Sequence, residues 1–511
     1  MTDILLIQPP IRDFYLTAKR TIPYGLACIA RVLMDHGFDV TILDALAVSK
    51  SRPLRLPDQM AYLQPFYGME DISPFSLFHQ YRHYGYSYAY LHSRIKISGA
   101  FLVGISSLFT AYRDEAFETA RVVKQAIPEC QVVLGGHHPT HCPEDVLRCE
   151  AVDFIIRGDG EVAMPLLAGA VQKNAPVNDL PGLGYKTETG RPVINPPVYM
   201  DRLDNYPPPA GHLIENSYYH RKKKRSIVVT AGRGCPRRCS YCCVGKTVPY
   251  RRKSVDAVIR EIDIAVHEGN LGFVDFEDEN LSLDKRWFLD LLKEMTLRYK
   301  SLNLELRAMN GLFPPSLDET VVAAMKEAGF SFLNLSLCTT NDAQLKRFSR
   351  PDVSRAFQDA LVWAGIYGLG AVGYVIAGAP FQKPGHSLQD LLFLARQPVL
   401  AALSIYYPAP GSLDWNRYRH SGLFPEAYSL MRATTIPVAH ETTRAQAVTL
   451  LRLTRLLNFL KHLIDHEKAI PEPEPYRKLD LRETGREQVG LRLLAWFLND
   501  GVIRGVTRTG K

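Results

Sequence analysis

The chain has 511 residues, 46% hydrophobic and 22% charged, which is too long for one compact core and predicts two or three globular domains. No apolar run approaches the roughly 18 residues of a membrane helix, and the polar start at Thr2 and Asp3 lacks the charged and apolar regions of a secretory signal, so a cytoplasmic protein without a transmembrane segment is expected. The net charge of +8 is compatible with nucleic acid, but the excess is concentrated in Arg221-Lys222-Lys223-Lys224-Arg225; such a run reads as solvated linker, and nucleic acid is not an expected partner.

Runs at 4–7, 40–43, 102–105, 132–134 and 154–156 read as buried parallel strands, separated by helical segments near 26–34 and 112–126. The pattern predicts a doubly wound, Rossmann-like α/β domain over residues 1–200, whose ligands sit beyond the carboxyl ends of the strands. Those ends carry Gln8-Pro9-Pro10, Ser106-Ser107-Leu108, Gly135-Gly136-His137-His138 and Arg157-Gly158-Asp159-Gly160-Glu161. Small residues there let backbone approach a ligand closely, although such a domain by itself suits many ligands or none. Residues 45–99 form an unusually long connection, dense in aromatics from Tyr62 and Phe66 to Tyr88 and Tyr90. They read as a helical insertion packed on the sheet, with a wall against a flat ligand as the sharper alternative. Pro207-Pro208-Pro209 and the basic run then make a linker, 201–225.

From 226 to 412, short β-type runs alternate with helical patterns, the mark of parallel βα units. Strand candidates are 227–230, 271–276, 303–307, 332–337, 371–377 and 401–406. Val255, Val258, Ile259, Ile262 and Val266 recur at helical spacing behind Ser254, a credible N-cap, and similar stretches run over 285–298 and 317–328. Six units predict a partial (β/α)6 barrel of TIM type, with its chemistry in the loops at the C-terminal strand ends. Residues 413–511 read as helical, notably 445–466 and 487–499, and are expected to close the open side of the barrel.

The loop after the first barrel strand reads Gly234-Cys235-Pro236-Arg237-Arg238-Cys239-Ser240-Tyr241-Cys242-Cys243. Thiolates at this three-then-two spacing can converge on one metal centre, and three ligands leave a four-iron cube with one iron unclaimed by protein. A zinc site would want a fourth Cys or His at comparable spacing. The loop resembles that of the radical S-adenosylmethionine (SAM) enzymes. The resemblance implies a 4Fe-4S cluster on Cys235, Cys239 and Cys242, whose free iron takes SAM and whose electron, drawn from an external flavodoxin- or ferredoxin-type reductant, cleaves it to a 5′-deoxyadenosyl radical. Tyr241, the aromatic before the third cysteine, fits that pattern. The resemblance further implies SAM contacts from the strand ends: Glu277, Glu279 and Asn280, Arg307, Ser336, and the turn at Ala377 and Gly378. The acidic residues also read as caps of the helix behind Asp284, and Cys338 stands where many relatives carry a glutamate. Tyr407 to Ser412 resembles a Pro-x-Pro-Gly-Ser/Thr turn of one subset.

The N-terminal series resembles the cobalamin-binding domain that precedes the barrel in cobalamin-dependent radical SAM enzymes. That implies cobalamin contacts from Ser106, Ser107, Gly135, Gly136, His137, Gly158 and Glu161. The stretch from Gln8 to Asp13 has no histidine where Asp-x-His-x-x-Gly stands in families with a histidine lower ligand; His137 and His138 are possible substitutes, or ordinary loop histidines. The function implied is C-methylation of an unactivated carbon in a small-molecule or lipid substrate, with radical cyclisation or rearrangement without methyl transfer as the alternative, and tRNA modification as a further one.

Overall fold

The computed structural model describes residues 2–15, 21–78, 80–245, 247–477 and 485–507. Strands Ile4–Gln8 (β1), Val40–Asp44 (β2), Leu102–Ser106 (β3), Gln131–Gly135 (β4) and Phe154–Ile156 (β5) pair in parallel, and Leu183–Lys186 (β6) and Pro192–Ile194 (β7) add antiparallel at the β5 edge. The spatial order is β7-β6-β5-β4-β3-β1-β2. Parallel strands covered on both faces are apolar throughout, and no residue from Ile4 to Ile7 exceeds 3% exposure. Ile4 and Leu6 join a core with the helices Tyr24–Asp35 and Gly160–Gln172; Leu5 and Ile7 join another with Tyr88–Ser98 and Arg113–Ala126. The order of connection reverses between β1 and β3, so the crevice between their carboxyl ends is where such a sheet binds ligands.

The barrel strands are Lys224–Val229 (β8), Leu271–Phe276 (β9), Glu305–Ala308 (β10), Phe332–Cys338 (β11), Gly370–Ala377 (β12) and Leu400–Ile405 (β13). All pair in parallel, but as two half-sheets, β8-β9-β10 and β11-β12-β13, joined between β10 and β11 by isolated bridges. The seam opens because the loop after β10 takes the β11 edge: the Leu312 N–H donates to the Asn334 carbonyl (2.6 Å), and the Leu312 carbonyl accepts from the Ser336 N–H (3.0 Å). The basic run is not linker. His220–Arg221 and β8 form a hairpin whose tip residues, Lys222 and Lys223, have φ of +46° and +63°, as a two-residue type I′ turn requires. Arg221 pairs with Asp275 (2.7 Å), and the buried Arg225 pairs with Glu268.

The remaining helices seal the barrel. Thr443 and Gln446 form a capping box for Arg444–Asp465, and this helix covers the edge of β13. The Asn458 amide donates to the Ala401 carbonyl and accepts from its N–H, both at 2.8 Å, supplying the pairing an edge strand otherwise exposes. The Lys461 ammonium caps the carbonyls of Leu394 and Val399, each at 2.8 Å. The aromatic insertion departs from expectation: Tyr67, Phe78 and Tyr81 join Phe14 in the core of the barrel, and Phe75 packs edge-on against Phe459 at 5.5 Å. Its rings are used mainly to cement the barrel and the C-terminal helices. Among the described residues, no helix is long and apolar enough to cross a membrane.

Candidate functional site

The cysteine loop hangs between β8 and the helix Val255–His267, and its base is closed by three devices. Asp278, buried after β9, accepts from the N–H groups of Ala231 (3.1 Å) and Gly232 (2.5 Å). Burial pushes its carboxyl up to about 7, those two donors working against the shift. Gly232–Arg233 pairs antiparallel with Arg251–Arg252. Gly234 has φ +82°, and a Cβ there would lie 2.4 Å from the Pro249 carbonyl oxygen, so only glycine brings the chain through.

Cys235, Cys239 and Cys242 are half-buried within this loop. Burial pushes the Cys235 and Cys242 thiols up, and each is also affected by the charge of Cys239. Three thiols within electrostatic reach of one another in one loop are a donor set that fits a 4Fe-4S cluster with one iron left open. The Cys243 sulfur lies within 4.8 Å of one ring nitrogen each of His137 and His141, in the N-terminal domain.

The expected SAM contacts divide. Glu279 is exposed beside the loop, accepts from the Gly234 N–H and interacts electrostatically with Cys235; partial desolvation of the carboxyl raises it. Asn280 is buried with its Oδ1 unpartnered, an acceptor looking for a donor. Glu277 is exposed at the mouth. Gly378 has φ +75° with open space where a Cβ would stand, and its turn is held by Gln382, which accepts from the Ala379 N–H (3.1 Å) and donates to the Ile376 carbonyl (2.8 Å); Ala377 is fully buried in the barrel core. Arg307 is taken up by Asp275, with contacts of 2.7 and 2.8 Å. Tyr241 packs edge-on against Phe348 at 4.9 Å, behind the loop.

Sequence reasoning missed Arg350, which lies beyond the helix Asp342–Arg347 and carries no motif of its own. Its guanidinium donates to the Ser336 carbonyl (2.5 Å) and hydroxyl (2.8 Å), and reaches the Tyr241 hydroxyl (3.5 Å) and the Cys239 sulfur (3.8 Å). It joins the end of β11 to the cysteine loop and places a fixed cation beside the Cys239 thiol. Cys338, in the position expected for a glutamate, is buried with φ +76° at a register shift in β11, and burial pushes its thiol up to about 12. Thr340 is bound to Asp390 through both its N–H (2.6 Å) and its hydroxyl (2.7 Å).

At the β1/β3 crevice of the N-terminal sheet lies a cleft of about 470 Å³, lined by Gln8, Pro10, Leu46, Ser106, Ser107 and Tyr112 among others. The Ser107 hydroxyl is buried there without a hydrogen-bond partner, and Leu108 and Phe109 stand exposed at its rim. Gly136, φ +124°, sits where a Cβ would be 2.6 Å from the Ser107 carbonyl oxygen, while the Cβ position of Gly135 is open. An orphaned hydroxyl, a glycine cradle and an apolar rim fit a large, partly apolar cofactor tail. The other expected contacts lie elsewhere. Gly158 packs on Val198, where a Cβ would be 2.0 Å from its carbonyl. Glu161 is held by Arg233 (3.2 Å and a shorter second contact at 2.5 Å), and Asp159 by Arg233 (3.0 Å) and Arg251 (2.5 Å), a buried network tying this domain to the strand that opens the cysteine loop. His137 lies parallel to His141, and His138 is fully buried, contacting Asp145 at 3.1 Å and the ring of Tyr428 edge-on. That is a packed, hydrogen-bonded histidine, its ring kept neutral by burial.

Two family models match the chain: a B12 binding domain over residues 80–168 and the Radical SAM superfamily over residues 229–392. The chain is 27% identical to an uncharacterized methyltransferase of Pyrococcus horikoshii over 424 residues, 81% of this chain and 82% of that one. It is 32% identical over 256 residues to the anaerobic magnesium-protoporphyrin IX monomethyl ester cyclase of Rubrivivax gelatinosus, 48% of this chain and 44% of that one. Its fold matches that of the radical SAM methyltransferase TsrM from Kitasatospora setae with cobalamin and a 4Fe-4S cluster bound, at a TM-score of 0.60 and 18% identity, covering 81% of this chain and 74% of that one.

Proposed function

Because the chain belongs to the cobalamin-dependent radical SAM enzymes, we propose that it transfers a methyl group to an unactivated carbon of a small-molecule or lipid substrate in the cytoplasm. The observation that carries this reading is that the domain bearing the sheet-end cleft is bolted to the strands flanking the three-cysteine loop by Arg233, Arg251, Asp159 and Glu161. The similarity to a methyltransferase over most of both chains favours methyl transfer. When bound, the cluster supplies an electron to SAM, cobalamin supplies a methyl carrier, and a flavodoxin- or ferredoxin-type protein supplies the reductant.

The chain's own part is to hold, orient and exclude water. In this reading Cys235, Cys239 and Cys242 hold the cluster. Glu279 and the Asn280 Oδ1 accept from the SAM ammonium, with Glu277 adding negative charge at the mouth. Arg350 and Ser336 meet the SAM carboxylate, and Gly378 gives the adenine a side-chain-free wall beside Ala377. Arg307 and Tyr241 support the site from behind. Ser106, Ser107, Gly135 and Gly136 receive the cobalamin tail, with His137 beside them; Gly158 and Glu161 fix the domain on which that pocket is built.

Cyclisation without methyl transfer is the second reading, favoured by the 32% identity to the cyclase. Anaerobic incubation of the reconstituted protein with SAM labelled in its methyl group decides between them. Label recovered in cobalamin or in product supports methylation; 5′-deoxyadenosine with unlabelled cobalamin overturns it and supports cyclisation.

A further inference from the structure

Cys243 directly follows a cluster cysteine, and a free thiol in that position competes for iron. The structure gives it other company. The helix His137–His141 presents its first and last residues on one face, since residues four apart in a helix are neighbours. The two imidazole planes are within 4° of parallel, with centroids 6.1 Å apart. One ring nitrogen from each and the Cys243 sulfur all lie within 4.8 Å of one another. The Nε2 of His141 is buried with no hydrogen-bond partner. The far side of that ring is walled by the turn at Gly411, where a Cβ would stand 2.3 Å from His141 Nδ1. The ring is thus clamped by the barrel while one of its nitrogens goes unused.

We propose that His137, His141 and Cys243 bind a zinc(II) ion that clasps the cobalamin-type domain to the cysteine loop. Two imidazoles and a thiolate are a borderline donor set suited to zinc, with bonds of about 2.0–2.1 Å to nitrogen and about 2.3 Å to sulfur. A tetrahedral site with such bonds has ligand atoms roughly 3.4–3.7 Å apart, so the present spacing needs only small side-chain rotations to close. Three protein ligands leave a fourth position for water. The ion would do two things: engage the Cys243 thiol, leaving the cluster to Cys242, and fix the distance between the cobalamin cleft and the cluster loop. The site takes up His137, the neighbour of the cobalamin tail in the reading above, as a ligand, and does not otherwise depend on methyl transfer.

The test uses the full chain after cluster reconstitution, so that iron occupies the three-cysteine site. Zinc(II) is added with a competing chelator, zinc and iron are counted per chain, and X-ray absorption at the zinc edge reports the ligands. The expected result is about one zinc and about four irons per chain, with one sulfur and nitrogen or oxygen neighbours. His141→Ala and Cys243→Ser should each weaken zinc retention at least tenfold while leaving iron in place. Wild-type protein that holds a full complement of iron but no zinc overturns the proposal, whatever the variants do. So does zinc bound by sulfur alone, or zinc retained equally by His141→Ala.

Discussion

The ion pair between Glu161 and Arg233 is the most exposed point of the assembly's energetics. Glu161 is 6% exposed and accepts from Arg233 at 3.2 Å and through a shorter second contact. Arg233→Met leaves that carboxylate stranded, because Arg251 is already committed to Asp159 and to the Met200 carbonyl (3.0 Å). Removing one partner of a buried pair costs about 3–5 kcal/mol. The single variant should therefore be destabilised by about 3–5 kcal/mol at pH 7. The double variant Glu161→Gln/Arg233→Met removes the charge altogether and should recover about 2 kcal/mol or more at pH 7. Urea denaturation of both variants and wild type at pH 7, with iron content measured in parallel, reads this out. A single variant within 1 kcal/mol of wild type at pH 7, or a double variant as unstable as the single, would refute the claim that this pair joins the domains.

Three further outcomes follow from local geometry. Gly136→Ala forces a Cβ to within 2.6 Å of the Ser107 carbonyl at φ +124°; a strain of about 1–3 kcal/mol should lower cobalamin retention about tenfold or more, seen by equilibrium dialysis, without altering iron content. Arg350→Gln removes a cation 3.8 Å from the Cys239 sulfur, so the cluster should become harder to reduce, with a more negative midpoint potential and a raised SAM KM, both partly restored in Arg350→Lys. Asp44 is buried and its carboxyl is pushed up to about 6 by burial, against hydrogen bonds from Tyr219 and from the Leu46 N–H (2.9 Å). A raised acid favours folding below its ordinary pKa and loses that contribution as pH rises through about 6, so Asp44→Asn should gain on wild type by about 2–3 kcal/mol between pH 4 and pH 7 in denaturant melts; no tilt with pH would contradict the assignment.

Much of this architecture is legible in the chain because parallel strands buried on both faces are apolar runs with little else to be. Ile4 to Ile7 and Leu271 to Phe276 are of that kind, and each forms a strand. The cysteine spacing likewise marks the cluster loop. What escapes is what depends on approach in space. Arg350 joins the site across 111 residues from Cys239, and no local pattern distinguishes it from any surface arginine. Glu161 follows the expected strand end, but its partner comes from 72 residues away, which turns an expected ligand contact into a strut. The basic run reads as linker because charge outweighs shape in a five-residue window; two left-handed lysines between pairing strands make it a hairpin. Cys243 looks like a spare thiol until the fold brings His137 and His141 beside it.

The central claim is that three cysteines hold a cluster which leaves one iron open to SAM. Its most direct test is anaerobic reduction of reconstituted wild type and Cys239→Ala in the presence of SAM, with 5′-deoxyadenosine and iron quantified together. Wild type should retain about four irons per chain and form 5′-deoxyadenosine, while Cys239→Ala loses both; a variant that keeps its cluster and cleaves SAM like wild type would contradict the account.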